Sequence, residues 1–181
     1  MRIMRRLFVV PLANNNHGKT SIVRALVSQG EGKHYVSPHP QKSIRQLVTP
    51  SGRTVDAYVF CRSYQETEKS YYGSVAAALD ANDPEWKLRE LIVMPSHVTG
   101  ACLLDTQEMI DAGRSAGFDV IAASVILQKG VATRLNNYQN IWTQSWDERW
   151  TIQNPFSNSP AGQLDALGRD LWTRIARTIT A

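Results

Sequence analysis

A chain of 181 residues with 43% hydrophobic and 20% charged side chains has the composition of a globular protein, and its length predicts a single domain, residues 1–181. Its net charge of +4 permits contact with nucleic acid but, without a block of five like charges, favours it only weakly. No run approaches the roughly 20 apolar residues of a membrane span, and the apolar run after the basic start is too short for a signal peptide. We therefore expect no membrane span and a cytoplasmic location.

A segment near the start of the chain has the pattern of a strand, a polar turn and a helix. The apolar run Leu7–Leu12 is followed by Ala-Asn-Asn-Asn-His and then by Gly-Lys-Thr-Ser. This order is typical of a phosphate-binding loop, in which backbone N–H groups and a helix N-terminus face the anion, the lysine reaches the outer phosphates and the threonine hydroxyl binds Mg²⁺. The alternative is a surface turn with a solvated lysine. The candidate phosphate-binding residues are Ala13, Asn14, Asn15, Asn16, His17, Gly18, Lys19, Thr20 and Ser21, with Thr20 also the candidate Mg²⁺ ligand.

This segment resembles the phosphate-binding loop of the P-loop NTPases, and its His-Gly-Lys-Thr end is similar to that of the translational GTPases. It departs from the pattern G-x-x-x-x-G-K-[ST] at Ala13, which replaces the first glycine and requires a negative φ. The resemblance implies a three-layer α/β domain of the P-loop NTPase kind with a mostly parallel sheet. It also implies Mg²⁺ and ATP or GTP as ligands.

Two β-rich segments around a Pro-Ser-Gly turn predict an antiparallel hairpin after the first helix. This order resembles the Ras-like GTPases. Laid over their Asp-Thr-Ala-Gly-Gln-Glu motif, residues 61–66 keep Gln65 and Glu66, whereas Cys61 replaces the aspartate. The resemblance implies Gln65 and Glu66 as candidate catalytic residues and leaves Asp56 or Glu66 as the acid that completes the Mg²⁺ site. An ordinary loop between a strand and a helix is the alternative.

The middle of the chain predicts a parallel strand–helix–strand unit. The apolar run 91–94 and the apolar strand 119–127 flank a helix over 101–116, and a connection of this kind is right-handed. This unit also resembles the later half of the partition-type ATPases. Residues 127–130, Leu-Gln-Lys-Gly, stand where GTPases carry Asn-Lys-x-Asp, so no acid is present to select guanine. We expect weak base selectivity or a preference for ATP.

Aromatic residues recur every four positions between residues 131 and 150. On a helix, Tyr138, Trp142, Trp146 and Trp150 would form one stripe. Packing against the sheet is the favoured interpretation, and a base-stacking surface or a protein partner bound through the three tryptophans are the alternatives. The last predicted helix, 162–180, has one apolar face, formed by Leu164, Leu167, Leu171, Ile175 and Ile179.

Together these patterns predict a Mg²⁺–nucleoside triphosphate-binding protein, with slow hydrolysis used as a switch or an assembly signal. A phosphotransferase acting on a small molecule or a nucleotide is one alternative, although no arginine-rich lid segment stands out. A non-hydrolysing structural or interaction module is the other.

Overall fold

The computed structural model describes residues 4–14, 18–34, 42–127, 139–154 and 161–181, and within these ranges the chain forms a six-stranded sheet flanked by helices. The strands are β1 (Leu7–Leu12), β2 (Lys42–Val48), β3 (Thr54–Phe60), β4 (Leu91–Val93), β5 (Asp119–Leu127) and β6 (Glu148–Asn154). The main helices are α1 (Lys19–Glu31), α2 (Glu68–Tyr72), α3 (Val75–Asn82), α4 (Leu103–Ser115) and α5 (Ala161–Thr180). Short 3₁₀ turns at Trp86–Leu88 and Gly100–Cys102 precede β4 and α4.

The sheet has the order β2-β3-β4-β1-β5-β6, and every neighbouring pair is parallel except the β2–β3 hairpin. The predicted α/β fold, with a mostly parallel sheet and one antiparallel hairpin, is confirmed. β1 is central, and all six of its residues are buried, as expected of an apolar run in a parallel sheet. On one side β1 pairs with β4 and not with the hairpin strand β3. The residues after β4 therefore lie beside the loop that follows β1.

The helices cover both faces of the sheet and give three layers. Alternate residues of the strands point to opposite faces, so that Leu7 and Val9 join one apolar core and Phe8 and Val10 join the other. The first core lies under α1 and α5, and the apolar residues predicted for the last helix belong to it or pack against it. The second core lies under α3 and α4. Among the described residues, no helix is long and apolar enough to cross a bilayer.

The predicted tryptophan stripe does not form, because residues 148–154 are strand β6 and not the end of a helix. β6 pairs in parallel with β5 over seven residue pairs, and this sheet pairing outweighs the helical spacing of the aromatic residues. Trp146 is buried in the core on the α4 side, whereas Trp150 is buried in the core under α5. Both side chains serve packing and neither is accessible to a partner; Trp142 is half-buried, and Tyr138 lies outside the described residues.

Candidate functional site

Lys19 is the first residue of α1 and follows directly from the loop after β1. Gly18 precedes it with φ of +89°, a conformation that glycine adopts without steric cost, and this turns the chain from the loop into the helix. The Lys19 side chain is buried, with 5% exposure. Thr20 is exposed in the first turn of the helix, and Ser21 is half-buried. Asn15, Asn16 and His17 lie outside the described residues, so their roles stay predictions.

The ammonium group of Lys19 lies against two backbone carbonyls and the ring of His97, and none of these groups is a carboxylate. Nζ donates to the carbonyl oxygens of Ala13 (2.8 Å) and Asn14 (3.2 Å), and it lies 3.2 Å from Nδ1 of His97. Burial lowers the pKa of Lys19 from 10.5 to about 8, although the charge of Glu66 opposes the change. A lysine ammonium has three donors and no acceptor, and two of these donors are used by the backbone carbonyls. The site thus holds a buried cation against neutral groups.

His97 connects Lys19 to an acidic residue and was not predicted to be a site residue. Its ring nitrogen Nε2 lies 3.6 Å from Oε1 of Glu66, on the side opposite to Nδ1. Burial and the charge of Lys19 lower the pKa of His97, whereas Glu66 and a hydrogen bond to the Ala13 backbone raise it. His97 follows β4 at the carboxyl end of the sheet, where ligands bind in open α/β folds. This position is the feature that could have marked His97 as a site residue. It becomes informative only when β4 is known to lie beside β1 in the sheet.

The amide of Gln65 fixes the segment that carries His97. Its Nε2 donates to Ser96 Oγ (2.8 Å) and to Asp105 Oδ2 (2.9 Å), and its Oε1 accepts from the His97 backbone N–H (3.1 Å). Asp105 is buried on α4 and also accepts from Lys69 (2.7 Å). All the hydrogen-bonding atoms of the Gln65 side chain are therefore engaged. In this arrangement Gln65 positions the loop after β4 and does not offer a free amide to a water molecule.

Ala13 shows why a side chain is tolerated at the position that the loop pattern gives to glycine. Its methyl group is fully buried in the core under α1 and α5. Its backbone N–H donates to the Ser96 carbonyl (3.3 Å), which ties the start of the loop to the segment after β4. The loop after β1 and the segment after β4 are thus joined both through the backbone and through the Lys19–His97 contact.

Asp56 does not lie at this site. It is near the beginning of β3, next to Ala57, which pairs with Leu91 at the beginning of β4. Its carboxylate accepts from Arg89 (2.8 Å) and Gln46 (2.8 Å). Because the strands are parallel, this places Asp56 towards the amino edge of the sheet, about 13 Å from the end of β3 at Phe60, given the rise per residue of a strand. The structure therefore does not bring Asp56 to Thr20, and of the two candidate acids only Glu66 is near Lys19.

Comparisons with known proteins assign no family to this chain. No protein-family model matches it, and no curated protein sequence is significantly similar to it. Within the described ranges, no three His, Cys, Asp or Glu side chains are grouped as metal ligands. The candidate site is therefore defined by its own residues, which lie at the carboxyl edge of the sheet: Lys19, Thr20, Gln65, Glu66, Ser96 and His97.

Proposed function

We propose that this protein binds a Mg²⁺–nucleoside triphosphate, with the phosphates at the N-terminus of α1 and in contact with Lys19. The observation that carries the proposal is the buried Lys19 ammonium, which has only neutral acceptors around it. A buried charge is costly unless it is paired, and an anion at this point would supply the missing charge. The positive end of the α1 dipole and the backbone N–H groups of its first turn add to the attraction.

Magnesium would reach the site with the nucleotide. Thr20 carries an exposed hydroxyl in the first turn of α1, where it can bind a metal ion that also binds phosphate oxygens. Mg²⁺ usually keeps several waters and takes few protein ligands, so a grouped set of carboxylates is not required. The segment that follows β4, residues 94–99, contains no aspartate or glutamate. The segment after β4 therefore supplies no carboxylate to complement the Thr20 hydroxyl. We expect that Mg²⁺ is held only weakly by the protein itself.

Slow hydrolysis, used as a switch or an assembly signal, is the activity that we propose for this site. Fast hydrolysis by P-loop enzymes needs a positioned water, a metal ion held on two sides and an added cation. Here Gln65 is engaged by its neighbours, and a carboxylate oxygen of Glu66 lies 3.6 Å from Nε2 of His97. We expect intrinsic turnover on the order of 10⁻⁴ to 10⁻² per second, as for unassisted GTPases.

Calorimetric titration with MgATP and MgGTP tests binding. Lys19→Ala should weaken the affinity at least tenfold, since one charge-assisted hydrogen bond is worth about 1.5–3 kcal/mol and about 1.4 kcal/mol corresponds to a factor of ten. Lys33→Ala is the matched control, because Lys33 is an exposed lysine beyond the opposite end of α1. Equal affinities in the wild type and Lys19→Ala, with folding verified by circular dichroism, would refute the proposal.

The same proteins allow the proposed reaction to be separated from its alternatives. After incubation with ATP or GTP, chromatography distinguishes diphosphate plus phosphate, a phosphorylated acceptor, and unchanged nucleotide. A single-turnover rate above about one per second would contradict the slow-hydrolysis proposal, because it exceeds that of unassisted enzymes. Competition between the two nucleotides tests the expected weak base selectivity.

A further inference from the structure

Strand β2 lies at one edge of the sheet, and its outer side carries backbone hydrogen-bonding groups. Within the described residues it pairs with β3 alone, over seven residue pairs without a bulge. An antiparallel strand directs the N–H and C=O groups of alternate residues to its two sides. Asp56, opposite Gln46, bonds through its own N–H and carbonyl to Glu90, so the backbone groups of Gln46 point away from β3. By the same alternation, those of Ile44 and Val48 also point outwards.

The side chains on one face of β2 are also suited to an interface. Ile44 is 51% exposed and Val48 is 46% exposed, although both are apolar and β-branched. Gln46 lies between them and is itself exposed, and its Nε2 uses one hydrogen on Asp56 (2.8 Å). Natural edge strands are usually short, charged, bulged or interrupted by proline, because an open edge pairs with other chains. The exposed side chains of the other edge strand, β6, are polar by comparison: Arg149, Thr151 and Gln153.

We propose that two copies of this chain associate through β2, which pairs antiparallel with the partner's β2 and continues the sheet across a two-fold axis. Gln46 lies opposite the partner's Gln46, and Ile44 lies opposite the partner's Val48. The outward backbone groups of these residues then form about six hydrogen bonds between the two strands. The association does not depend on nucleotide binding.

The side chains of β2 complement a second copy of the same strand. An amide both donates and accepts, so the two Gln46 side chains on the axis can pair with each other. Each Ile44 meets a Val48 on the same face, which gives two pairs of β-branched apolar residues, one on either side of the axis. The strand therefore matches itself, and a second copy is the occupant that fits this edge.

Other registers of the same pairing are less favourable. A shift of two residues in one direction sets Arg45 opposite the partner's Arg45, and like charges directly opposite each other are destabilising. The same shift in the other direction sets Ile44 opposite Pro50, which has no N–H to donate. In the proposed register Arg45 lies opposite the partner's Leu47. Arg45 is already buried and paired with Glu31 (2.6 Å), so the added strand buries no new unpaired charge.

Analytical ultracentrifugation of the whole chain tests the association. One pair of short strands buries less area than a standard protein–protein interface, so we expect a reversible dimer. Between about 2 and 200 μM, the protein should show a monomer–dimer equilibrium with a dissociation constant of about 10–100 μM. A purely monomeric protein at the highest concentration overturns the proposal.

Substitutions on the outer face of β2 test the register. Ile44→Lys should weaken the dimer roughly tenfold or more, because it places an ammonium group opposite the partner's Val48. Addition of Val48→Glu in the same chain should restore part of the affinity, since opposite charges then face each other on both sides of the axis. Leu88→Lys is the matched control, because Leu88 is 76% exposed in the turn before β4, and it should leave the affinity unchanged. An Ile44→Lys dimer as tight as the wild type, or a double variant no tighter than Ile44→Lys, contradicts this pairing.

Hydrogen exchange of the wild type decides the matter if a variant fails to fold. On dilution from about 200 to about 2 μM, the amides of Ile44, Gln46 and Val48 should exchange about two- to fivefold faster, as the fraction of monomer rises. The amides of Arg45 and Leu47 bond to β3 and should not change. If the exchange of all five amides, followed by NMR, is independent of concentration, β2 is not the interface, even where a dimer forms through another surface.

Discussion

Replacement of Lys19 by methionine should change how the stability of the unliganded protein depends on pH. Burial lowers the pKa of Lys19 from 10.5 to about 8, so between these values the unfolded chain binds a proton that the folded chain has lost. The free energy of unfolding therefore rises with pH in this window. Each pKa unit corresponds to about 1.4 kcal/mol, so the full effect is about 3 kcal/mol, and about 2.5 kcal/mol of it falls between pH 7 and 10.

Urea denaturation of the wild type and Lys19→Met at pH 7, 8, 9 and 10 measures this effect. The difference between the two proteins cancels the other groups that titrate in the same range, such as Cys61, whose pKa burial raises to about 11. The wild type should gain about 2.5 kcal/mol relative to Lys19→Met across the series. Lys33→Met removes an exposed lysine, so its free energy of unfolding should change with pH in the same way as that of the wild type. A constant difference between the wild type and Lys19→Met would show that the ammonium is not desolvated, and would therefore contradict the proposed anion site at Lys19.

Two further substitutions test the packing of the fold and the support of the site. Gly168→Ala should lower the free energy of unfolding by about 1–3 kcal/mol, because its Cβ would lie 2.6 Å from the Ile22 carbonyl oxygen of α1. Gly162→Ala is the control on the same helix, since its Cβ would meet open space, and it should be neutral or slightly stabilising. Thermal denaturation of both variants checks this, and equal stability would contradict the close approach of α1 and α5. Gln65→Ala should cost about 2–3 kcal/mol in urea denaturation, because three hydrogen bonds are lost and a buried carboxylate on α4 loses a donor. Gln46→Ala, which removes one exposed hydrogen bond, should cost under about 0.5 kcal/mol, and a similar cost for both would mean that Gln65 does not hold the segment after β4.

Local patterns in the sequence were sufficient for much of the fold. The apolar run of β1 predicts a strand buried on both faces, and Gly18 followed by Lys19 marks the start of a helix. The Pro-Ser-Gly turn predicts the β2–β3 hairpin, and the apolar face of residues 162–180 predicts α5. These features depend on residues that are close together in the chain. The conformational preferences of the residues and the spacing of the apolar positions are therefore enough to predict them. The sequence alone also determined that a lysine and a threonine open the helix after β1.

Only the tertiary structure decided which strand ends lie beside that helix. The order β3-β4-β1 depends on hydrogen bonds between segments that are far apart in the chain, and the three-residue β4 carries no local signal of its neighbours. This order places His97 against Lys19 and leaves Asp56 at the opposite edge, whereas the sequence alone left Asp56 and Glu66 as alternative acids for the Mg²⁺ site. The same holds for Trp146 and Trp150, whose helical spacing was overridden when β6 paired with β5. Strand order is a non-local property, and for this reason the composition of the site depends on the folded sheet.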